Sequence, residues 1–162
     1  MGEFNGKWGV VTLHPWLPSK ATQVAAARAW GVSESTLDGA DVSARFYDDV
    51  RKVARTTRWQ NKMPERSKFL EHLSQIAEPG QEVFFANALC VGLSPDVARW
   101  TVEAVFAAGL LIYVDAGRDG RPMWLKPGDK MDDFYKLVKA AANAAHQADN
   151  RKRKRKPAKA KV

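Results

Sequence analysis

Two short runs of apolar residues constrain the fold more than any other feature of this sequence. Residues 82–88 (EVFFANA) and 110–114 (LLIYV) have the length of strands, and the second run is apolar without interruption. Segments with apolar residues at helical spacing lie next to both runs. Strands that are apolar on both sides and alternate with amphipathic helices are typical of a parallel sheet covered by helices on both faces. The sequence therefore predicts an α/β fold with a mostly parallel sheet.

Local start and stop signals place the remaining elements. Pro64 and the Ser94-Pro95 pair suit the first turns of helices, and Gly31 and Gly109 suit the residues that follow helices. A short strand that pairs as a hairpin or an edge follows the turn at 115–120. We expect strands at 8–13, 44–50, 82–88, 110–114 and 121–125, and helices at 21–30, 64–76 and 95–108. Residues 50–59 could equally be helical.

A long last helix is predicted to begin at Asp129. One side of it carries apolar and small residues, which would allow close approach of a second copy and make this helix a candidate homodimer contact. Packing on its own sheet is the alternative. The expected organisation is a flexible start (1–6), an α/β domain (7–128), the C-terminal helix (129–150) and a disordered basic tail (151–162).

Positive charge is concentrated at the end of the chain. Residues 151–162 hold eight of the 26 Lys and Arg residues and no acid, so the first 150 residues carry 18 basic and 18 acidic side chains. Such a tail neutralises phosphates by counterion release, although an acidic protein or membrane surface would also attract it. We expect nucleic-acid contacts from Arg151, Lys152, Arg153, Lys154, Arg155 and Lys156.

A second basic segment lies inside the chain, at residues 51–68. Glu65 is the single acidic residue of this segment. Cations interleaved with an aromatic and an amide side chain suit phosphate contact combined with stacking or groove insertion. A solvated surface segment is the alternative. The predicted contacts here are Arg51, Lys52, Arg55, Arg58, Trp59, Lys62, Arg66 and Lys68.

Residues 23–40 (QVAAARAWGVSESTLDGA) also match a helix-turn-helix pattern, with Gly31 at the turn. The would-be reading helix, however, carries Glu34 and Asp38 and no Arg or Lys, and phosphates would repel these carboxylates. A helix-turn-helix regulator therefore stays an alternative to an ordinary helix followed by a loop.

Several classes of protein are disfavoured by what the sequence lacks. A single cysteine, Cys90, excludes a disulfide framework, and three scattered histidines give no metal-ligand spacing. The longest apolar run, residues 104–114, is shorter than the roughly 18 residues that a membrane span needs. We expect no metal, no cofactor, no membrane contact and no enzymatic activity, and a cytoplasmic location that would be nucleoid-associated in a bacterium.

The predicted order of elements resembles the catalytic domain of serine recombinases, the resolvase and invertase family. Residues 78–85 (EPGQEVFF) resemble the acidic turn that enters that family's third strand, and residues 92–94 (GLS) resemble the Gly-Arg-Ser before its next helix. Residues 107–114 (AAGLLIYV) resemble the helix end and strand that follow. The resemblance covers residues 7–116 and implies a resolvase-like fold.

The catalytic residues that the resemblance calls for are absent. His14 stands where the family's serine nucleophile would be, and Thr12 stands in place of an arginine. Residues 89–94 (LCVGLS) replace the family's Asp-Arg-Leu-Gly-Arg-Ser. Phosphoryl transfer depends on such charges, so the resemblance implies a catalytically silent protein. We expect an accessory, architectural or regulatory factor that binds DNA, or alternatively RNA. A protein-interaction module, an inhibitor or adaptor whose tail only aids localisation, is the rival hypothesis.

Overall fold

The strands of the sheet are the apolar runs that the sequence marks. In the computed structural model, which describes residues 6–32, 45–49 and 63–155, five strands form one sheet in the order β2-β1-β3-β4-β5. The first four are parallel and β5 is antiparallel to β4. The predicted α/β class with a mostly parallel sheet is therefore confirmed. The strands are β1 (Lys7–Leu13), β2 (Arg45–Asp49), β3 (Glu82–Asn87), β4 (Leu111–Ala116) and β5 (Met123–Leu125).

Helices connect the parallel strands and cover the sheet. They are α1 (Lys20–Trp30), α2 (Pro64–Ile76), α3 (Ala88–Val91), α4 (Pro95–Ala107) and α5 (Asp132–Arg155). Right-handed crossovers place α1 on one face and α2 and α4 on the other, because the chain moves in opposite directions along the sheet in these connections. Contacts agree with this: Trp8 of β1 meets Phe69 of α2, whereas Phe84 of β3 meets Trp30 of α1.

The predicted helix ends are found where the capping signals stand. Ser19 accepts a hydrogen bond from the Thr22 N–H at the start of α1. At the end of α1, the Gly31 N–H donates to the carbonyls of Ala27 and Arg28. Gly31 has a φ of 109°, in the left-handed region that glycine adopts without strain. Ser94 caps α4 in the same way as Ser19 caps α1, by accepting from the Val97 N–H.

A short helix that the sequence did not reveal joins β3 to α4. The Asn87 side chain accepts a hydrogen bond from the Cys90 N–H and so starts α3 directly at the end of the strand. Gly92 follows, packed so closely on α4 that an added Cβ would lie 2.2 Å from the Ala98 nitrogen. All four residues of α3 are buried, so a segment that reads as strand continuation is part of the core.

The boundaries of α5 differ from the prediction at both ends. It begins at Asp132 rather than Asp129, because the Asp129 carboxylate accepts a hydrogen bond from the Lys126 N–H in a preceding turn. It ends at Arg155 rather than Asn150, so residues 151–155 are helical and the predicted disordered tail is corrected for this stretch. Lys and Arg are good helix formers and are favourable near a helix C-terminus.

The apolar side of α5 packs within its own chain. Phe134, Val138 and Ala142 are buried against α3 and α4, and the Arg99 guanidinium lies 4.9 Å from the Tyr135 ring centroid. Ala141 and Ala145, part of the stripe predicted as a dimer contact, are partly buried on the same core. The alternative prediction, packing on the helix's own domain, accounts for these residues.

Candidate nucleic-acid interface

The order of the strands marks one position at the edge of the sheet. From β1 the chain moves outward to β2 and then returns past β1 to β3, so the direction of winding reverses between β1 and β3. In open α/β sheets the crevice outside the carboxyl ends of the strands at such a switch point is where ligands bind. Here β1 ends at Leu13 and β3 ends at Asn87, and the loop that leads to α1 leaves β1 at this switch point.

That loop is held in shape by His14. The His14 Nδ1 atom accepts a hydrogen bond from the Trp16 backbone N–H at 3.1 Å, and the His14 carbonyl accepts from the Leu17 N–H at 3.0 Å. The His14 and Trp16 rings meet edge to face with centroids 5.0 Å apart. One ring nitrogen of His14 is therefore used within the loop, as expected of a structural loop histidine between a strand and a proline.

Trp16 connects the loop to the last helix. Its indole Nε1–H donates a hydrogen bond to the Asp149 carboxylate, and its ring lies 6.4 Å from that of His146, one turn earlier in α5. The Asn150 side-chain amide lies 3.5 Å from His146 Nε2. Residues that are 133 positions apart in sequence therefore meet at the carboxyl edge of the sheet. The loop at the switch point fixes where the end of α5 leaves the domain.

The basic residues at the end of α5 lie beyond this contact. Arg151 and Lys152 are exposed, and the helix continues to Arg155. At about 1.5 Å per residue, the stretch from Asn150 to Arg155 extends about 9 Å past the contact with Trp16. Five consecutive cations, residues 151–155, are thus carried on a helix anchored at the switch point. This arrangement presents positive charge on a defined scaffold.

A buried polar network lies beside the carboxyl end of β1, and Arg66 is its centre. The Arg66 side chain is fully buried and donates hydrogen bonds of 2.8 to 3.1 Å to the Val91 and Cys90 carbonyls and the Thr101 and Thr12 hydroxyls. Its guanidinium also lies 5.7 Å from the Phe85 ring centroid. Arg66 therefore joins α2, β1, α3 and α4, and its predicted contact with phosphates is corrected, because the side chain points into the core.

Gln23 of α1 closes the same network from the other side. Its side-chain amide accepts from the Thr12 N–H at 2.9 Å and donates to the Thr12 carbonyl at 2.7 Å. Gln23 thus pairs with both backbone polar groups of Thr12 near the end of β1. The Cys90 thiol lies 3.6 Å from Gln23 Oε1 and is buried. Gln23 and Ala27 are core residues of the first helix in the helix-turn-helix pattern, whereas its second helix, predicted within 32–40, lies almost wholly outside the described residues.

The other predicted contact residues divide into three groups. Lys68 is exposed on α2 and forms an ion pair with Glu65 at 3.7 Å. Arg153, Lys154 and Arg155 lie in α5 with side chains outside the described part. The following predicted residues lie outside the described residues: Arg51, Lys52, Arg55, Arg58, Trp59, Lys62 and Lys156.

Trp16, His146 and Asp149 are the residues of this site that sequence reasoning missed. A tryptophan between two prolines in the loop at 14–18 was the available signal, since an aromatic side chain in a constrained loop needs a surface to pack on. The sequence contains no local sign of its partner in α5.

Two further observations bear on the chemistry of the described part of the chain. Among residues 6–32, 45–49 and 63–155, no group of three His, Cys, Asp or Glu side chains is arranged to hold a metal ion. No helix among the described elements is long and apolar enough to cross a membrane.

Comparison with known proteins finds no matching family model, no matching curated protein and no matching solved structure.

Proposed function

We propose that this protein is a non-catalytic nucleic-acid-binding protein in which the basic end of α5 contacts phosphates. The observation that carries the proposal is the position of residues 151–155: five consecutive cations on a helix that Trp16 and Asp149 hold at the carboxyl edge of the sheet. A helix fixes the spacing of its charges, so phosphate binding there costs less ordering than binding by a free tail. The proposed role is accessory, architectural or regulatory, on DNA.

The proposal extends to a resolvase-like body without the chemistry of that family. The mostly parallel sheet with helices on both faces and the long C-terminal helix support it. At the end of β1, His14 uses Nδ1 inside its own loop, and the Thr12 hydroxyl donates to the Cys90 carbonyl at 3.2 Å. These groups serve the structure of the loop and the core, which agrees with a body that binds without cleaving.

Duplex binding as a function of salt tests this function. We would compare the full chain with a triple variant, Arg151→Gln, Lys152→Gln and Arg153→Gln. Each lost phosphate contact lowers the salt slope by about 0.9, so the triple variant is expected to lose about 2 to 3 units of slope together with affinity. Electrophoretic mobility shift or fluorescence anisotropy measures both.

A second triple variant provides the matched control. Lys130→Gln, Lys136→Gln and Lys139→Gln remove the same charge from exposed positions at the start of α5 and just before it. If both triple variants weaken duplex binding equally, binding depends on the net charge of the protein, and the basic end of α5 is not a specific binding site. If the full chain binds no duplex at any salt concentration, the nucleic-acid function is wrong and the protein-interaction hypothesis takes its place.

A further inference from the structure

On the face of the sheet that carries α1, aromatic rings continue past the helix to the edge strand. Trp30 at the end of α1 stacks on Tyr113 of β4, with ring centroids 4.7 Å apart and planes 9° apart. Trp124 of β5 meets Tyr113 edge-on at 4.9 Å and lies 5.9 Å from Trp30. We call Trp30, Tyr113 and Trp124 the aromatic shelf. It is separate from the crevice at the switch point, since it lies across β4 and β5 rather than between β1 and β3.

Trp124 is the part of the aromatic shelf that meets solvent. Its exposed fraction is 48%, although tryptophan is among the side chains that gain most from burial. The strand register places Trp124 on the same face of the sheet as the other rings, because Trp124 pairs with Tyr113 and Tyr113 pairs with Phe84 of β3. The rest of the indole packs on Tyr113 and Trp30, whose ring centroids lie 4.9 and 5.9 Å from its own.

Polar groups on the shelf are already used within it. The Tyr113 hydroxyl donates to the Asp115 carboxylate at 3.2 Å, and burial together with that carboxylate raises the pKa of Tyr113 above its ordinary value of 10.0. The Lys7 ammonium donates to the Trp30 carbonyl at 3.0 Å and lies 4.7 Å from the Trp30 ring centroid. The aromatic shelf therefore presents an aromatic face, and the Lys7 ammonium is held beside Trp30.

The charges next to Trp124 indicate what kind of ligand fits. Exposed cations precede and follow β5, namely Arg118, Arg121 and Lys126. Three acids lie in the same stretch: Asp129 accepts from the Lys126 N–H, Asp115 accepts from the Tyr113 hydroxyl, and Asp119 is exposed beside Arg118. With Lys130, residues 115–131 carry four cations against these three acids. An apolar protein surface would have to bury these cations, whereas a ligand with planar bases and a phosphate backbone would satisfy the indole and the cations together.

We propose that the aromatic shelf binds single-stranded nucleic acid, with an unpaired base stacked on Trp124 and the adjacent phosphates near Arg121 and Lys126. Bases within a duplex are stacked on one another and present only their edges in the grooves, so a flat indole on a sheet selects unpaired segments. This inference rests on the proposed nucleic-acid function and assigns it a substrate class. The protein would hold a duplex phosphate backbone at the end of α5 and an unpaired strand at β5.

Oligonucleotides with and without bases test the stacking directly. The probes are an oligothymidylate and an abasic strand of equal length, within the roughly 4 to 16 nucleotides typical of such sites. The full chain is expected to bind the oligothymidylate more tightly, and Trp124→Ala is expected to weaken that binding about 5- to 100-fold while leaving abasic-strand and duplex binding unchanged. Trp124→Phe, which keeps an aromatic face, is expected to restore most of the loss.

Ile76→Ala provides the matched control, because Ile76 is the other large apolar side chain with a high exposed fraction in the described part, 41%, and lies on α2. Circular dichroism shows whether each variant is folded, and Trp124→Leu, which keeps apolar volume but removes the aromatic face, serves as the test if Trp124→Ala is not. If the full chain binds both strands equally, or if the folded variant without an aromatic ring at position 124 keeps the full chain's preference for bases, the inference is overturned. Duplex binding that still depends on Arg151 to Arg153 would leave the proposed function standing in that case.

Discussion

Arg66 shows how a basic residue in a charged segment can be a core residue. Residues 51–68 contain seven cationic side chains, and nothing in the local sequence distinguishes Arg66, which is buried, from the other six. Four hydrogen bonds to two carbonyls and two hydroxyls compensate the desolvation of its guanidinium. The five donors of the guanidinium in a planar fork explain why arginine and not lysine occupies this position.

We expect Arg66→Met to destabilise the protein by about 2 to 4 kcal/mol, because four hydrogen bonds inside the core are lost. Arg66→Lys is expected to be intermediate, since an ammonium reaches fewer of these acceptors. The free energy of unfolding in urea measures the effect. Lys68→Met on the same helix is the control, with an expected change below about 0.5 kcal/mol because Lys68 is exposed. Equal effects of the two methionine variants would contradict the structural role of Arg66.

At the scale of elements, the end of α5 depends on the loop after β1. The apolar side of the helix is buried through Phe134, Val138 and Ala142, and from there on its main contact is the pair of Trp16 and Asp149. A helix end that packs weakly frays, and the last turns of α5 carry only polar and basic residues. We therefore expect the loop at the switch point to keep these basic residues helical and in place.

Trp16→Phe keeps an aromatic ring in the loop but removes the indole N–H that donates to Asp149. We expect faster amide hydrogen exchange in residues 146–152 of α5, with little change in α2 or α4, because only the end of the helix loses an anchor. Asp149→Asn, which keeps an acceptor oxygen and loses the charge, should give a smaller increase. The proposed anchoring is wrong if exchange in α5 is the same in Trp16→Phe as in the original protein.

At the scale of the whole molecule, charge is divided between a neutral body and a cationic end. The first 150 residues carry as many acids as bases, and all of the net charge of +8 comes from residues 151–162. Part of that charge lies on a helix, where residues three and four positions apart are neighbours and like charges repel. The protein therefore holds unfavourable electrostatic energy at the end of α5 that an anionic ligand or salt can relieve.

Salt should consequently increase the helicity of the full chain. Raising the ionic strength from about 0.01 to 0.1 M shortens the screening length from about 30 to 10 Å, which weakens repulsion among residues 151–155. Far-ultraviolet circular dichroism is expected to show a small gain in helix signal. The triple variant at Arg151, Lys152 and Arg153 is the reference and should gain less. A gain of the same size in both proteins would mean that repulsion at this end is not what salt relieves.

Most of the fold follows from local patterns. Apolar runs and capping residues predicted the positions of β1, β3, β4, α1, α2 and α4 to within one or two residues, because Pro64, Ser94 and Gly31 act on their immediate neighbours. The start of α5 and the helix α3 were missed. Each depends on a single side chain, Asp129 or Asn87, that bonds a backbone N–H three residues away and competes with the expected pattern.

The sequence by itself determined the class of fold, the ends of α1, α2 and α4, and the separation of a neutral body from a basic terminus, since all of these depend on spacing and composition. Only the tertiary structure decided that Arg66 is internal, that Trp16 meets Asp149, and that Trp30, Tyr113 and Trp124 form one shelf. The physical reason is the same in each case. These contacts join residues far apart in the chain, and the packing of helices on a twisted sheet, rather than any local preference, brings them together.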